Sequence, residues 1–211
     1  MENIVKNKMV KKITTEKIKI SNTGSGMEEA LNLTEEIAGT MELNQKKKFQ
    51  ARLLAEEMFS MVRAIAGTFD AEYWLECESE SCTYHLEAKS KLDYEKRREF
   101  LSVSTKGENI AQRGIMEKIR EVIEAGVHGM EEGLAIQSEY GSGMMDYGAL
   151  YMDGMYVWSM QKYKSEVETS LSEDSEEWDE LEKSIIANIA DEVKVGVNKD
   201  KIEMIIQKKF D

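Results

Sequence analysis

The chain has 211 residues, 41% apolar and 33% charged, which suits a single domain with its own core and excludes a disordered polyelectrolyte. A net charge of -13 opposes nucleic acid and anionic membrane surfaces as partners and permits a basic protein surface. No apolar run approaches the ~20 residues that cross a bilayer, and the N-terminal "MENIVKNKMVKKITTEK" lacks the apolar segment of a secretory signal.

The start of the chain, from Ile13 to Ile20, is β-rich and weakly alternating, which predicts an edge strand. "SNTGSG" breaks it. "MEEALNLTEEIAGTMEL" then reads as a helix with Met27, Leu31 and Ile37 turned inward. Asn44 is the expected N-cap of a second helix that runs to about Ala66. "AEYWLECESESCTYHLEAKS" is a hairpin by its period-two pattern. Tyr73, Leu75 and Cys77 share one face with Tyr84, Leu86 and Ala88 across the turn, while Glu72, Trp74 and Glu76 take the other with His85 and Glu87. The two cysteines flank that turn and could face each other, but they are too few for a disulfide framework, and free thiols in a reducing cytoplasm are expected. With no proline in the chain, sharp turns fall to Gly, Asn, Asp and Ser.

"LDYEKRREFLSVS" is expected to be a short helix capped by Asp93. "TKGEN" is a loop, and "RGIMEKIREVIEAG" is an amphipathic helix with Ile115, Ile119, Val122 and Ile123 on one side. Composition then changes. An insertion over about 126–175 is rich in Gly, Met and Tyr, most densely from Gly126 to Tyr163. An acidic helix capped by Asp174 or Ser175 follows, and the chain closes on a hairpin, "VKVGVNKDKIEMIIQKKF". Hairpins and helices are segregated rather than alternating. That predicts one α+β domain over 1–211, a two-layer sandwich with helices on one face of a mostly antiparallel sheet.

Within the second helix, Leu54, Met58, Met61, Val62 and Ile65 define a buried stripe. The adjacent acids Glu56 and Glu57 part company on it. Glu56 aligns with Arg52, Ser60 and Arg63 on the wet face. Glu57 lies beside the stripe, where desolvation would raise its pKa and make it a better base.

The helix centred on "LLAEEMFSMV" resembles the N-box helix of the histidine kinase-like ATPase superfamily (the GHKL or Bergerat fold), and the chain is most similar to the bacterial anti-sigma factor serine kinases. The resemblance implies that Glu57 is the catalytic glutamate that activates the attacking group. Family members place a magnesium-binding asparagine four residues on; here Met61 stands there, and a thioether is a poor ligand for a hard cation. After the family's hairpin comes a loop that reads adenine through an aspartate. Here Ala88 falls near that position, and Asp93 is the nearest acid. The family's glycine-bearing lid corresponds to "STKGENIAQRGIMEKIREV", which makes Gly107 and Gly114 the implied phosphate contacts. The resemblance covers about residues 10–125 and 176–210 and leaves out the insertion.

Two readings follow. In the first, the chain is a bacterial regulatory protein that keeps an anti-sigma-factor-like ATPase fold with degenerate nucleotide motifs and acts by binding a protein, such as a transcription or signalling regulator. In the second it is an active ATP- and magnesium-dependent serine/threonine protein kinase or ATPase of that type. Both leave a homodimer open, and the Met- and Tyr-rich insertion is the expected contact surface. No metal ligand set is expected. Asp146 and Asp153 fit no known cation loop, His85 and His128 stand alone, and the "SNTGSG" loop lacks the lysine of a P-loop.

Overall fold

The alternation seen in the central hairpin extends to the strand of residues 201–209 beside it. The computed structural model describes residues 12–66, 68–89, 115–119, 149–152, 155–170, 176–198 and 201–211. Among them eight strands form one sheet: β1 (Lys12–Thr14), β2 (Ile18–Ser21), β3 (Asp70–Glu78), β4 (Ser81–Lys89), β5 (Ala149–Met152), β6 (Met155–Ser159), β7 (Glu192–Asn198) and β8 (Lys201–Lys209). The order is β1-β3-β4-β8-β7-β6-β5, with β2 also on the outer side of β3, and every described pairing is antiparallel. Register lines up one apolar row across six strands: Ile18, Tyr73, Leu86, Met204, Val195 and Trp158. All but Ile18 are fully buried.

Helices cover that face. α1 (Met27–Thr40) and α2 (Gln45–Ala66) pack along each other, and both reach Tyr73. The Thr34 hydroxyl of α1 lies 2.7 Å from the Tyr73 hydroxyl and donates to the Ala30 carbonyl at 2.8 Å, so this buried pair is satisfied. Phe59 of α2 meets the Tyr73 ring edge-on at 5.1 Å. The expected stripe of Leu54, Met58, Met61, Val62 and Ile65 is buried throughout. Asn44 caps α2 by accepting from the Lys47 amide at 3.0 Å. Arg52 ties the exposed sides of α1 and α2 together through Glu35 and Glu56, both at 2.9 Å, and Glu28 at 3.5 Å. Gly26 opens α1 at φ 73, and a Cβ there would lie 2.0 Å from the Lys19 carbonyl oxygen, so only glycine fits.

The edge is two strands rather than one. Thr14 faces Glu76 and Ile18 faces Tyr73, so three residues of the first chain oppose two of β3. This is a bulge. Thr15 bridges it, its amide donating to the Leu75 carbonyl and its hydroxyl accepting from the Leu75 amide, both at 3.0 Å. The extra residue turns Ile13, Ile18 and Ile20 to the same face, although their spacing breaks period two.

The cysteines correct an expectation. Cys77 and Cys82 form a disulfide. They are directly opposed one pair in from the two-residue turn, with Cα atoms 4.1 Å apart and both side chains on the buried face, so the sulfurs meet. A loop this short contributes about 2 kcal/mol in the chain-entropy account. The expectation of free thiols falls with it.

The insertion expected over about 126–175 adds strands to the sheet where it is described. β5 and β6 continue the sheet, and α3 (Met160–Ser170) folds back so that Tyr163 packs 6.0 Å from Trp158, both fully buried. The acidic helix divides at Ser184 into α4 (Glu176–Lys183) and α5 (Ile185–Ile189), because the Ser184 side chain accepts from the Ala187 amide and caps a new helix. Residues 115–119 are helical, with Ile115 and Ile119 buried as expected.

Glu192 is the buried carboxylate that fixes β6 to α3. It accepts from the Ser159 hydroxyl at 3.0 Å and from the Gln161 and Val193 amides at 3.2 and 2.9 Å, while Ser159 accepts from the Lys162 amide. Negative charge at a helix N-terminus adds to those bonds. Glu192→Ala would strand three donors, and a loss of about 3 kcal/mol in denaturant unfolding is expected. A change within about 0.5 kcal/mol, the range of an ordinary surface substitution, would show that the cap is dispensable.

Candidate functional site

α2 presents its two acids as the helical phase requires. Glu56 is exposed and receives the Arg52 Nε–H at 2.9 Å. Glu57 is half-buried beside Leu54 and Met61, which are 0% and 1% exposed. Burial, and then the negative charge of Glu56, push the Glu57 carboxyl above its usual range. The helix that carries it is anchored at its first turn by the Asn44 cap and by the Lys47 ammonium, which donates to the Phe210 carbonyl at 3.2 Å. A carboxyl whose pKa is raised is a stronger base than an ordinary glutamate.

Met61, four residues on, is in the hydrophobic core, and Ser60 is exposed. Asp93, Gly107 and Gly114 lie outside the described residues, as do His128, Asp146, Asp153, Asp174 and Ser175. Among the described residues no cluster of three His, Cys, Asp or Glu side chains could hold a metal ion, and no helix is long and apolar enough to cross a membrane.

A second cluster lies on the face of the sheet opposite α1 and α2, where sequence reading left His85 as an isolated boundary residue. His85 is directly opposite Trp74, and the two rings stack with centroids 4.8 Å apart and planes 5° from parallel. Lys17, in the bulge, holds its ammonium 4.2 Å from the Trp74 ring centroid and donates to Glu72 at 3.0 Å. Glu72, Glu87 and Glu203 stand side by side on three successive strands, an arrangement of like charges that costs energy. Lys201 offsets it by pairing with Glu87 at 3.5 Å and with Glu203. His85 Nε2 lies 4.0 Å from Glu76 and is buried without a hydrogen-bond partner. Burial lowers the His85 pKa; Glu76, Glu87 and Glu203 oppose that shift and Lys17 adds to it. Period-two register alone pairs Trp74 with His85, so this stack was within reach of the sequence; Lys17 was not, because only the bulge places it opposite Trp74.

Comparison with known protein families, with curated proteins and with solved structures finds no match.

The Glu57 carboxyl has a higher pKa folded than unfolded. Stability tied to it is therefore full below its ordinary value of 4.5 and is lost as pH rises through the folded value. Glu57→Gln is expected to melt above the parent at pH 7 and level with it at pH 4. A variant less stable than the parent at pH 7 would show that the contacts of the ionised carboxylate outweigh the cost of burying it.

Proposed function

We propose that the chain is a regulatory domain of histidine kinase-like ATPase type that acts by binding a protein, with nucleotide binding weakened or lost. The observation that carries this is Met61. The resemblance puts a magnesium-binding asparagine there, but the side chain is apolar, 1% exposed and part of the core stripe that seats α2 on the sheet. A cation at that position would meet a thioether inside a packed interior. The acidic chain repels phosphate-rich partners and suits a basic protein surface. The proposed partner is accordingly a protein, with no nucleic acid or membrane.

A second reading is favoured by Glu57. A half-buried glutamate of raised pKa on the inner side of this helix is what an ATP-dependent serine/threonine kinase or ATPase of the anti-sigma type would use as base. In that case Asp93, Gly107 and Gly114 would contact ATP, and magnesium would need ligands other than Met61.

Thermal unfolding with and without millimolar Mg-ATP separates the two. A ligand at 100 times its Kd stabilises by about 2.7 kcal/mol. The regulatory reading predicts no rise in melting temperature. A rise of several degrees that is lost on Gly114→Val would overturn it in favour of the kinase.

A further inference from the structure

We infer that Trp74 is the centre of an acid-released clasp that holds the N-terminal edge strands to the sheet, with Lys17 as its catch and His85 as its trigger. This inference is independent of the functional reading above.

The geometry is a cross-strand sandwich. β3 lies between β2 and β4, so the chain entering β2 and the chain of β4 flank Trp74 from opposite sides. The strand order thus assigns Lys17, 4.2 Å from the indole centroid, and His85, stacked on it at 4.8 Å, to opposite sides of Trp74. Lys17 sits in the bulge where the edge strand loses its regular ladder, among residues 15–17 between β1 and β2. Its contacts with the ring and with Glu72 brace that break, beside the Thr15–Leu75 bridge.

An indole face attracts a cation through its quadrupole. With His85 neutral, Lys17 is the one cation on the ring among the described residues. Protonation of His85 places a second on the opposite face. The two then compete for the same ring electrons and repel each other through it. The groups facing His85 set the balance: Glu72 and Glu76 from β3, Glu87 from its own strand, Glu203 and Lys201 from β8, and Lys17 itself. The imidazolium has Glu76 at 4.0 Å, whereas Lys17 is left with an exposed pair to Glu72, which is worth little, and the charge of Glu87. The catch therefore yields before the trigger. Glu72 does not confuse the window, because Lys17 holds its carboxyl below the usual range.

The test is proton NMR of the whole chain from pH 8 to pH 5. The Lys17 ε-methylene protons should stand upfield at pH 8 from the Trp74 ring current and lose most of that shift in step with the titration of the His85 ring protons. Over the same range, hydrogen-exchange protection of the Leu75 amide should fall by about tenfold relative to the Leu86 amide, the scale of a local opening. His85→Phe keeps an aromatic stack without a proton, and its Lys17 signals should stay upfield throughout. Lys17 protons that remain upfield after His85 has titrated, or that move equally in His85→Phe, would overturn the clasp. Lys17 protons unshifted at pH 8 and unaffected by Trp74→Leu would overturn the sandwich itself.

Discussion

The structure depends on one constraint: a single apolar row must stay in register from β2 to β6. Ile18, Tyr73, Leu86, Met204, Val195 and Trp158 are nearest cross-strand neighbours in turn. Because side chains alternate, a one-residue slip in any strand would send its half of the row to the wrong face. The devices elsewhere defend this register. The bulge at Thr15 corrects the phase of the isoleucines on the edge, the Cys77–Cys82 disulfide pins the central hairpin, and Glu192 locks the end of β6 to the start of α3. The Thr34–Tyr73 hydroxyl pair sets α1 against the same row.

Among the described residues the helices cover one face, and the other is stabilised by its own pairs. That face solves its charge problem with two lysines, Lys201 beside Glu87 and Glu203 and Lys17 beside Glu72, and fills the middle with the Trp74–His85 stack. Aromatic and charged cross-strand pairs of this kind contribute about 0.2–1 kcal/mol each. They tune the edge of the sheet rather than hold the domain together. Any role of Glu57 is set by the covered side, since its half-burial follows from the same helical phase that buries Leu54, Met58 and Met61.

Strong periodicity was legible in the sequence and weak or interrupted periodicity was not. α2, the central hairpin, the closing hairpin, the split between Glu56 and Glu57 and the Asn44 cap could be read because several residues repeat one phase. The edge was misread as continuous because a bulge cannot be seen in a run of seven or eight residues. β5, β6 and α3 were hidden by composition: glycine and methionine drew attention away from "ALYMDGMYVW", in which two runs of strand formers flank Asp-Gly, the dipeptide most favoured in tight hairpins. The break at Ser184 follows from a serine that bonds its own helix N-terminus, a choice that depends on what Ile186 and Ala187 pack against. The disulfide required the register to be taken literally across a two-residue turn. Of the candidate site, only the placement of Glu57 could be judged from the helix alone; the nucleotide contacts assigned to Asp93, Gly107 and Gly114 came from resemblance and remain proposals.

The central claim is that the chain between Ala149 and Tyr163 is part of the same cooperative unit as the rest of the sheet, and Trp158→Ala tests it most directly. Trp158 is fully buried at the end of the apolar row, against Val195 and Tyr163. Truncating a buried tryptophan costs about 3–5 kcal/mol. Urea unfolding of Trp178→Phe with and without Trp158→Ala, followed by circular dichroism and by tryptophan fluorescence, which in the double variant comes from Trp74 alone, should show a loss of that size with both probes falling on one transition. A variant whose Trp74 transition keeps the parent midpoint would contradict the account, because the segment would then be an appendage and not a part of the core.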